Sequence, residues 1–218
     1  MQNKKKLLIF DFDGTLFDSI RYLSEAEVNA VNEMGWKPIT LDFARKTIGL
    51  SLSVTYEQVS GDKSLSKLQE FTDRFNKYFF ARAKEAGYFD GIEEMLASLK
   101  EKGFILTIAT GKGRASLDRL DKMLGFDKYF DFNICPSESE PKPSPQMVNK
   151  LLKKYGLKPE DAVVIGDSEH DLKMAQNAGV DTVAVSYGAM SRKELEQYHP
   201  TKIVDTVQEL QRTLEALK

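Results

Sequence analysis

The chain predicts an α/β fold built on a mostly parallel sheet, on three observations. Short apolar runs recur along it, helix-like segments separate most of them, and polar or small residues follow each run. Short runs rich in Ile, Val, Leu and Phe read as buried strands. Strands that alternate with helices need crossover connections, which cover both faces of a parallel sheet.

The first run is Leu7–Phe10. Beyond it, from roughly Leu16 to Gly87, the pattern is helical. Ile20, Leu23, Val28 and Val31 share one segment, and Leu65, Leu68, Phe71, Phe75, Phe79 and Ala83 form a long stripe on another. The second strand run is Ile105–Ala109, more than ninety residues after the first, whereas a βαβ unit takes ~30. The excess predicts an inserted helical cap over residues 16–87, with residues 1–15 and 88–218 as the core. Trp36, Phe71, Phe75 and Phe79 read as cap core. An insertion at a strand's carboxyl end lies over the edge where open α/β sheets bind ligands.

The remaining elements follow in order. Ile92, Met95, Leu96 and Leu99 have helical spacing before a stop at Gly103; Leu117, Leu120 and Leu124 repeat it before Gly125. Phe132–Cys135 is the third strand run. Met147, Val148, Leu151, Leu152 and Tyr155 form a helix with Ser144 as N-cap, Pro145 at the first helical position and Gly156 as the stop. Val163–Ile165, Thr182–Val185 and Ile203–Val204 are the last strand runs, and Asp205 is placed to cap a final helix through Leu217.

Composition narrows the function. Thirty-one Lys and Arg against 33 Asp and Glu give a net charge of −2, with no basic excess for nucleic acid or an anionic membrane. The longest uncharged runs, 47–56 and 182–191, are ten residues each, against the ~20 that a bilayer helix needs. The N-terminal apolar run meets Asp11 too soon for a signal peptide. One cysteine, Cys135, forms no internal disulfide, and His170 and His199 lie far apart, which leaves little for a Cys- or His-based metal site. A cytoplasmic protein, monomer or homodimer, is expected.

The polar residues after the strands carry the chemistry. Strand one ends Phe10-Asp11-Phe12-Asp13-Gly14-Thr15, and strand two ends Ala109-Thr110-Gly111-Lys112. The third leads to Pro141-Lys142-Pro143, and the fourth ends Gly166-Asp167-Ser168-Glu169-His170-Asp171. All four would meet on one carboxyl edge. Crowded carboxylates repel, a divalent cation relieves the repulsion, and an oxygen-only donor set favours Mg²⁺. Gly14 lets the chain turn tightly beside Asp11, and Asp167 could also cap the helix that follows it.

This order of motifs, DFDGTLFDS, ATG, an isolated lysine before a helix and GDxxxD, closely resembles the haloacid dehalogenase superfamily of aspartate-nucleophile phosphohydrolases. The helical insertion resembles the small cap of its phosphoglycolate-phosphatase-like branch. The resemblance implies a Rossmann-like, doubly wound core and a role for each residue. Asp11 is the implied nucleophile and Asp13 the acid and base, with their two-residue spacing putting both on one face of an extended segment. Thr110 and Gly111 are implied phosphate holders, and Lys142 neutralises the transferring group. Asp11, Asp167, Asp171 and the main-chain carbonyl of Asp13 are the implied surroundings of Mg²⁺, with Asp171 acting through water or by orienting Lys142.

The expected activity is a Mg²⁺-dependent phosphatase of a small phosphorylated metabolite, such as phosphoglycolate or a sugar phosphate. Pyrophosphatase or nucleotidase activity would use the same machinery. Hexose-phosphate mutases (the β-phosphoglucomutase type) resemble the chain too, but tend to carry Gly-x-Ser-Arg in the cap, and here Gly49-Leu50-Ser51 is followed by Leu52. Gly49 and Leu52 mark the loop expected to govern specificity, with Arg45 a candidate to grip an anionic part of the substrate. A phosphoacceptor signalling domain is the non-enzymatic alternative; the insertion and the Asp-x-Asp on strand one speak against it.

Overall fold

The computed structural model describes residues 4–218. Its strands are β1 (Leu7–Phe10), β2 (Ile105–Ala109), β3 (Phe132–Ile134), β4 (Ala162–Gly166), β5 (Asp181–Val185) and β6 (Lys202–Val204). They form one parallel sheet in the order β3-β2-β1-β4-β5-β6. The order runs outward in both directions from β1 and β4, so the crevice at their carboxyl ends is the topological switch point of a doubly wound sheet.

The helices of the sheet's two faces are α5 (Ile92–Glu101), α6 (Arg114–Leu124), α7 (Gln146–Tyr155), α8 (Glu169–Asn177) and α10 (Val207–Glu215), with a short α9 (Arg192–Glu196) near the edge. Alternation along β1 divides the core. Leu8 and Phe10 pack with side chains of α5, α6 and α10, whereas Leu7 and Ile9 pack with those of α7 and α8. β1 is buried on both faces, as a central parallel strand must be.

Between β1 and α5 lie α1 (Ile20–Glu33), α2 (Leu41–Thr47), α3 (Leu52–Ser60) and α4 (Leu68–Arg82). Phe71, Phe75 and Phe79 face inward from α4, and Trp36 stacks on Phe71 with ring centroids 5.6 Å apart. The segment leaves and returns through paired backbone: Asp18 N–H donates to Gly87 O at 2.8 Å and Phe89 N–H to Leu16 O at 3.1 Å. The two connections are therefore tied together next to Asp13.

Several local readings shift. On α1 the buried face is Leu23, Ala26, Glu27, Ala30 and Val31, and Val28 is only partly buried. Leu65 precedes α4 in a left-handed conformation and is not part of that helix. Thr206, not Asp205, caps α10, its Oγ1 accepting from Glu209 N–H at 3.1 Å, while Asp205 pairs with Arg192 and Ser186. α7 begins one residue later than its proline suggests, at Gln146. No helix among the described residues is long and apolar enough to cross a membrane.

Candidate active site

Strand register gathers the site. Phe10 of β1 lies opposite Ile108 of β2 and Ile165 of β4. Asp11 follows β1 by one residue, Thr110 follows β2 by one, and Asp167 follows β4 by one. All three emerge at the same edge, joined by Lys142 from the long connection after β3.

The centre is a group of buried charges. Carboxylate oxygens of Asp11, Asp167 and Asp171 lie within 4.8 Å of one another. Lys142 Nζ stands 2.6 Å from Asp11 Oδ1 and 2.6 Å from Asp171 Oδ1. Asp171 Oδ2 accepts from Ser168 N–H at 3.1 Å and Ser168 Oγ–H at 2.6 Å, closing a capping box at the start of α8. Asp171 therefore performs the capping open to Asp167, whose Oδ2 instead accepts from Ala189 N–H at 2.6 Å and whose Oδ1 accepts from Thr15 Oγ–H at 3.2 Å.

Electrostatics follow from this crowding. Burial pushes the Asp11 carboxyl up to about 7, opposed by Lys142 and reinforced by Asp171 and Asp13. Burial, with Asp11 and Asp171 close by, also drives Asp167 well above its ordinary value. Burial pulls the Lys142 ammonium the other way, yet Asp11 and Asp171 outweigh it and keep its pKa above normal. Three ionised carboxylates against one ammonium leave a formal −2, and Asp11 Oδ2 is buried with no hydrogen-bond partner. Both features fit a divalent cation held by carboxylate oxygens, and the absence of sulfur or imidazole from the set suits a hard ion.

Asp13 stands apart from the three. Its Oδ1 accepts from Ser19 Oγ–H at 2.7 Å, and its Oδ2 pairs with Lys112 Nζ at 3.0 Å. Lys112 also lies over the Phe79 ring, 4.7 Å from its centroid, so one ammonium joins the core to α4. Thr110 is buried; its Oγ1 accepts from Lys112 N–H at 3.1 Å and donates to no acceptor among the described residues, which frees its proton for an incoming oxygen.

Two glycines keep the crevice tight. Gly14 has φ of 78°, and a Cβ there would lie 2.0 Å from Asp167 Oδ2. A Cβ on Gly111 would lie 2.3 Å from Gly49 O and 2.6 Å from Leu50 O, so the α2–α3 loop rests directly on the loop after β2.

Not every candidate comes to this crevice. Gly49 and Leu52 line the cavity next to Asp13. Arg45 does not: its guanidinium donates to Ala189 O and pairs with Glu194 and Asp42 at 3.1 Å each, tying α2 to α9. His170 places its ring nitrogen 3.3 Å from Lys46 O, outside the acidic group. Ser19, Lys112 and Thr15 support the site without having been singled out. Ser19 and Thr15 stand inside the DFDGTLFDS stretch, and Lys112 directly follows Thr110-Gly111, so proximity in sequence to the motifs was the available signal.

The chain is similar to known proteins in both sequence and fold. A family model described as haloacid dehalogenase-like hydrolase matches residues 8–185. A phosphoglycolate phosphatase of Psychrobacter arcticus is 31% identical over 212 residues, covering 92% of each chain. A pyrophosphatase, PpaX, of Bacillus mycoides is 28% identical over 209 residues, covering 95% of each. A solved structure described as a predicted phosphatase from Clostridium acetobutylicum superposes with a TM-score of 0.86 at 26% identity, over 98% of this chain and all of that one.

Proposed function

Because this chain belongs to the haloacid dehalogenase-like hydrolase family and is a phosphatase, we propose that it hydrolyses a small phosphomonoester through an aspartyl-phosphate on Asp11, with Mg²⁺ held at the acidic cluster. The observation that carries the reading is the buried set of Asp11, Asp167 and Asp171 around Lys142, with one Asp11 oxygen left unpaired.

Asp11, Asp167 and the main-chain carbonyl of Asp13 would hold the cation. Bound there, it would draw charge from the phosphoryl oxygens. Asp11 attacks phosphorus as the bond to the leaving oxygen breaks, and Asp13 gives that oxygen a proton. Water then attacks the same phosphorus, its proton passes to Asp13, and the oxygen–phosphorus bond to Asp11 breaks, restoring both carboxyls. Lys142 offsets charge on the transferring group and keeps Asp11 oriented, while Asp171 orients Lys142. The Thr110 hydroxyl and the backbone at Gly111 receive phosphoryl oxygens.

Residues 16–87 act as a cap in this reading. Support comes from the paired connections at residues 16–18 and 87–89 and from the contact of Gly49 and Leu50 with Gly111. A closed cap keeps bulk water from the intermediate. Leu52 occupies the position where an arginine would hold a second phosphate, which favours hydrolysis over phosphate transfer within a substrate.

The test is turnover of a phosphomonoester panel with and without Mg²⁺. Release of inorganic phosphate only with the cation supports the reading. Phosphate migration within a hexose phosphate, or no turnover of any member, counts against it.

A further inference from the structure

The acidic cluster accounts for the transferred phosphoryl group but not for the group it leaves. Beside Asp13 lies a cavity of about 50 Å³, walled on the core side by Asp13, Gly111 and Lys112 and on the other side by α1, α4 and the α2–α3 loop. One water needs ~10–15 Å³ by the same measure, so the space takes a few non-hydrogen atoms. That suits a leaving group of two or three carbons.

The polar groups in its wall are unusual. Glu27 is 1% exposed, on the buried face of α1, and its Oε1 has no hydrogen-bond partner. Asn76 on α4 lines the same cavity, and its Oδ1 is also buried and unpaired. A buried acceptor without a donor costs ~1–3 kcal/mol, so two in one cavity call for a ligand that supplies donors.

Ionised Glu27 presents an acceptor at Oε1, and the neutral form does so when its proton sits on Oε2. Thr47 Oγ1 lies 2.7 Å from Ala44 O and 2.6 Å from Glu27 Oε2, and its one proton cannot serve both. When Thr47 donates to Ala44 O, Glu27 donates from Oε2–H to Thr47, and Oε1 remains a carbonyl-type acceptor. Burial supports this, pushing the Glu27 carboxyl up to about 7.

We propose that this cavity receives the leaving group, and that Glu27 and Asn76 select one that brings hydroxyl donors: a short polyol, rather than a carboxylate or a second phosphate. The inference rests on the phosphomonoesterase reading above and names its substrate class. A carboxylate or phosphate on the leaving side would bring further acceptors to Glu27 Oε1 and Asn76 Oδ1 and leave both oxygens without a donor. The one cation among the described residues lining the cavity, Lys112, is already paired with Asp13 at 3.0 Å. Arg45 is occupied at Ala189 and Glu194.

The test compares kcat/KM for glycerol phosphate and phosphoglycolate, with Mg²⁺, in wild type, Glu27→Met and Asn76→Leu. Met keeps roughly the size of Glu27 and removes both of its oxygens, so no acceptor faces the substrate from α1. Wild type is expected to favour glycerol phosphate, and each variant to lower that ratio on the order of tenfold. An unchanged ratio in both variants, or a wild-type preference for phosphoglycolate, overturns the inference. Methyl phosphate, whose leaving group beyond the bridging oxygen is a single methyl, asks nothing of Glu27 and separates the two levels. If wild type hydrolyses it but neither of the other two, the substrate class is wrong; if it hydrolyses none of the three, the phosphatase reading fails and takes the inference with it. Thermal melting of both variants shows whether a lost ratio reflects lost fold, and Asn76→Leu, on a different helix from Glu27, gives an independent reading.

Discussion

Lys142 and Asp11 meet at 2.6 Å although 131 positions separate them in the chain, and both side chains are withdrawn from solvent. A buried ion pair tolerates loss of one member poorly, since the other charge stays behind without a partner. Here the ammonium also serves Asp171, so its loss leaves three carboxylates with nothing to offset them.

Lys142→Met should therefore lose stability by about 3–5 kcal/mol in metal-free buffer. Denaturant unfolding measures it. A loss much below 1 kcal/mol would mean that the carboxylates find relief elsewhere.

The same crowding makes stability depend on a cation. Mg²⁺ at about a hundred times its Kd should stabilise the fold by ~2.7 kcal/mol, seen as a rise in Tm that a chelator reverses. Asp167→Asn should abolish most of that rise. An equal rise in the variant would place the ion elsewhere.

Gly111→Ala should force the α2–α3 loop off the core, because its Cβ would sit 2.3 Å from Gly49 O. The expected loss in kcat/KM is on the order of tenfold to a hundredfold, as for a small misplacement of reacting groups. Gly113→Ala is the comparison, since a Cβ there meets nothing within 4 Å. Equal effects from the two would remove the loop contact from the account.

Glu27 predicts a pH effect on stability. Its ordinary value of 4.5 is raised to about 7 in the fold, first by burial, so the folded chain prefers the protonated form. The fold bears no penalty below about 4.5; the penalty grows as pH rises and is complete above about 7. Glu27→Gln has no such titration and should gain on wild type across this window, by up to ~3 kcal/mol at pH 8. Melting curves at pH 5 and pH 8 measure it; a Tm difference between the two proteins that does not change with pH would contradict the shift.

Much of the fold was legible because it rests on local patterns. Apolar runs marked all six strands, and glycines at 103, 125 and 156 marked helix ends through their left-handed backbone. The residues that end β1, β2 and β4 were legible too, since a parallel sheet puts every strand's carboxyl end on one edge. What the sequence could not display is pairing across that edge. Nothing local says that Lys112 reaches Asp13, or that Arg45 turns to Ala189 and Glu194 instead of a substrate. Glu27 is the middle case. Its spacing of four from Leu23 and Val31 places a carboxylate on the buried stripe of α1, a signal present in the periodicity but masked by reading only the apolar positions. Likewise, Gly14 reads as a turn, while the lack of room beside Asp167 emerges only from the folded chain.

The most direct test of the account is turnover of the best phosphomonoester by Asp11→Asn with Mg²⁺ present. The substitution keeps the size of the side chain and removes the attacking carboxylate. The account predicts a fall in kcat on the order of a thousandfold or more, with a fold as cooperative as that of wild type. Turnover within about tenfold of wild type would contradict the assignment of Asp11 as the group that takes the phosphate.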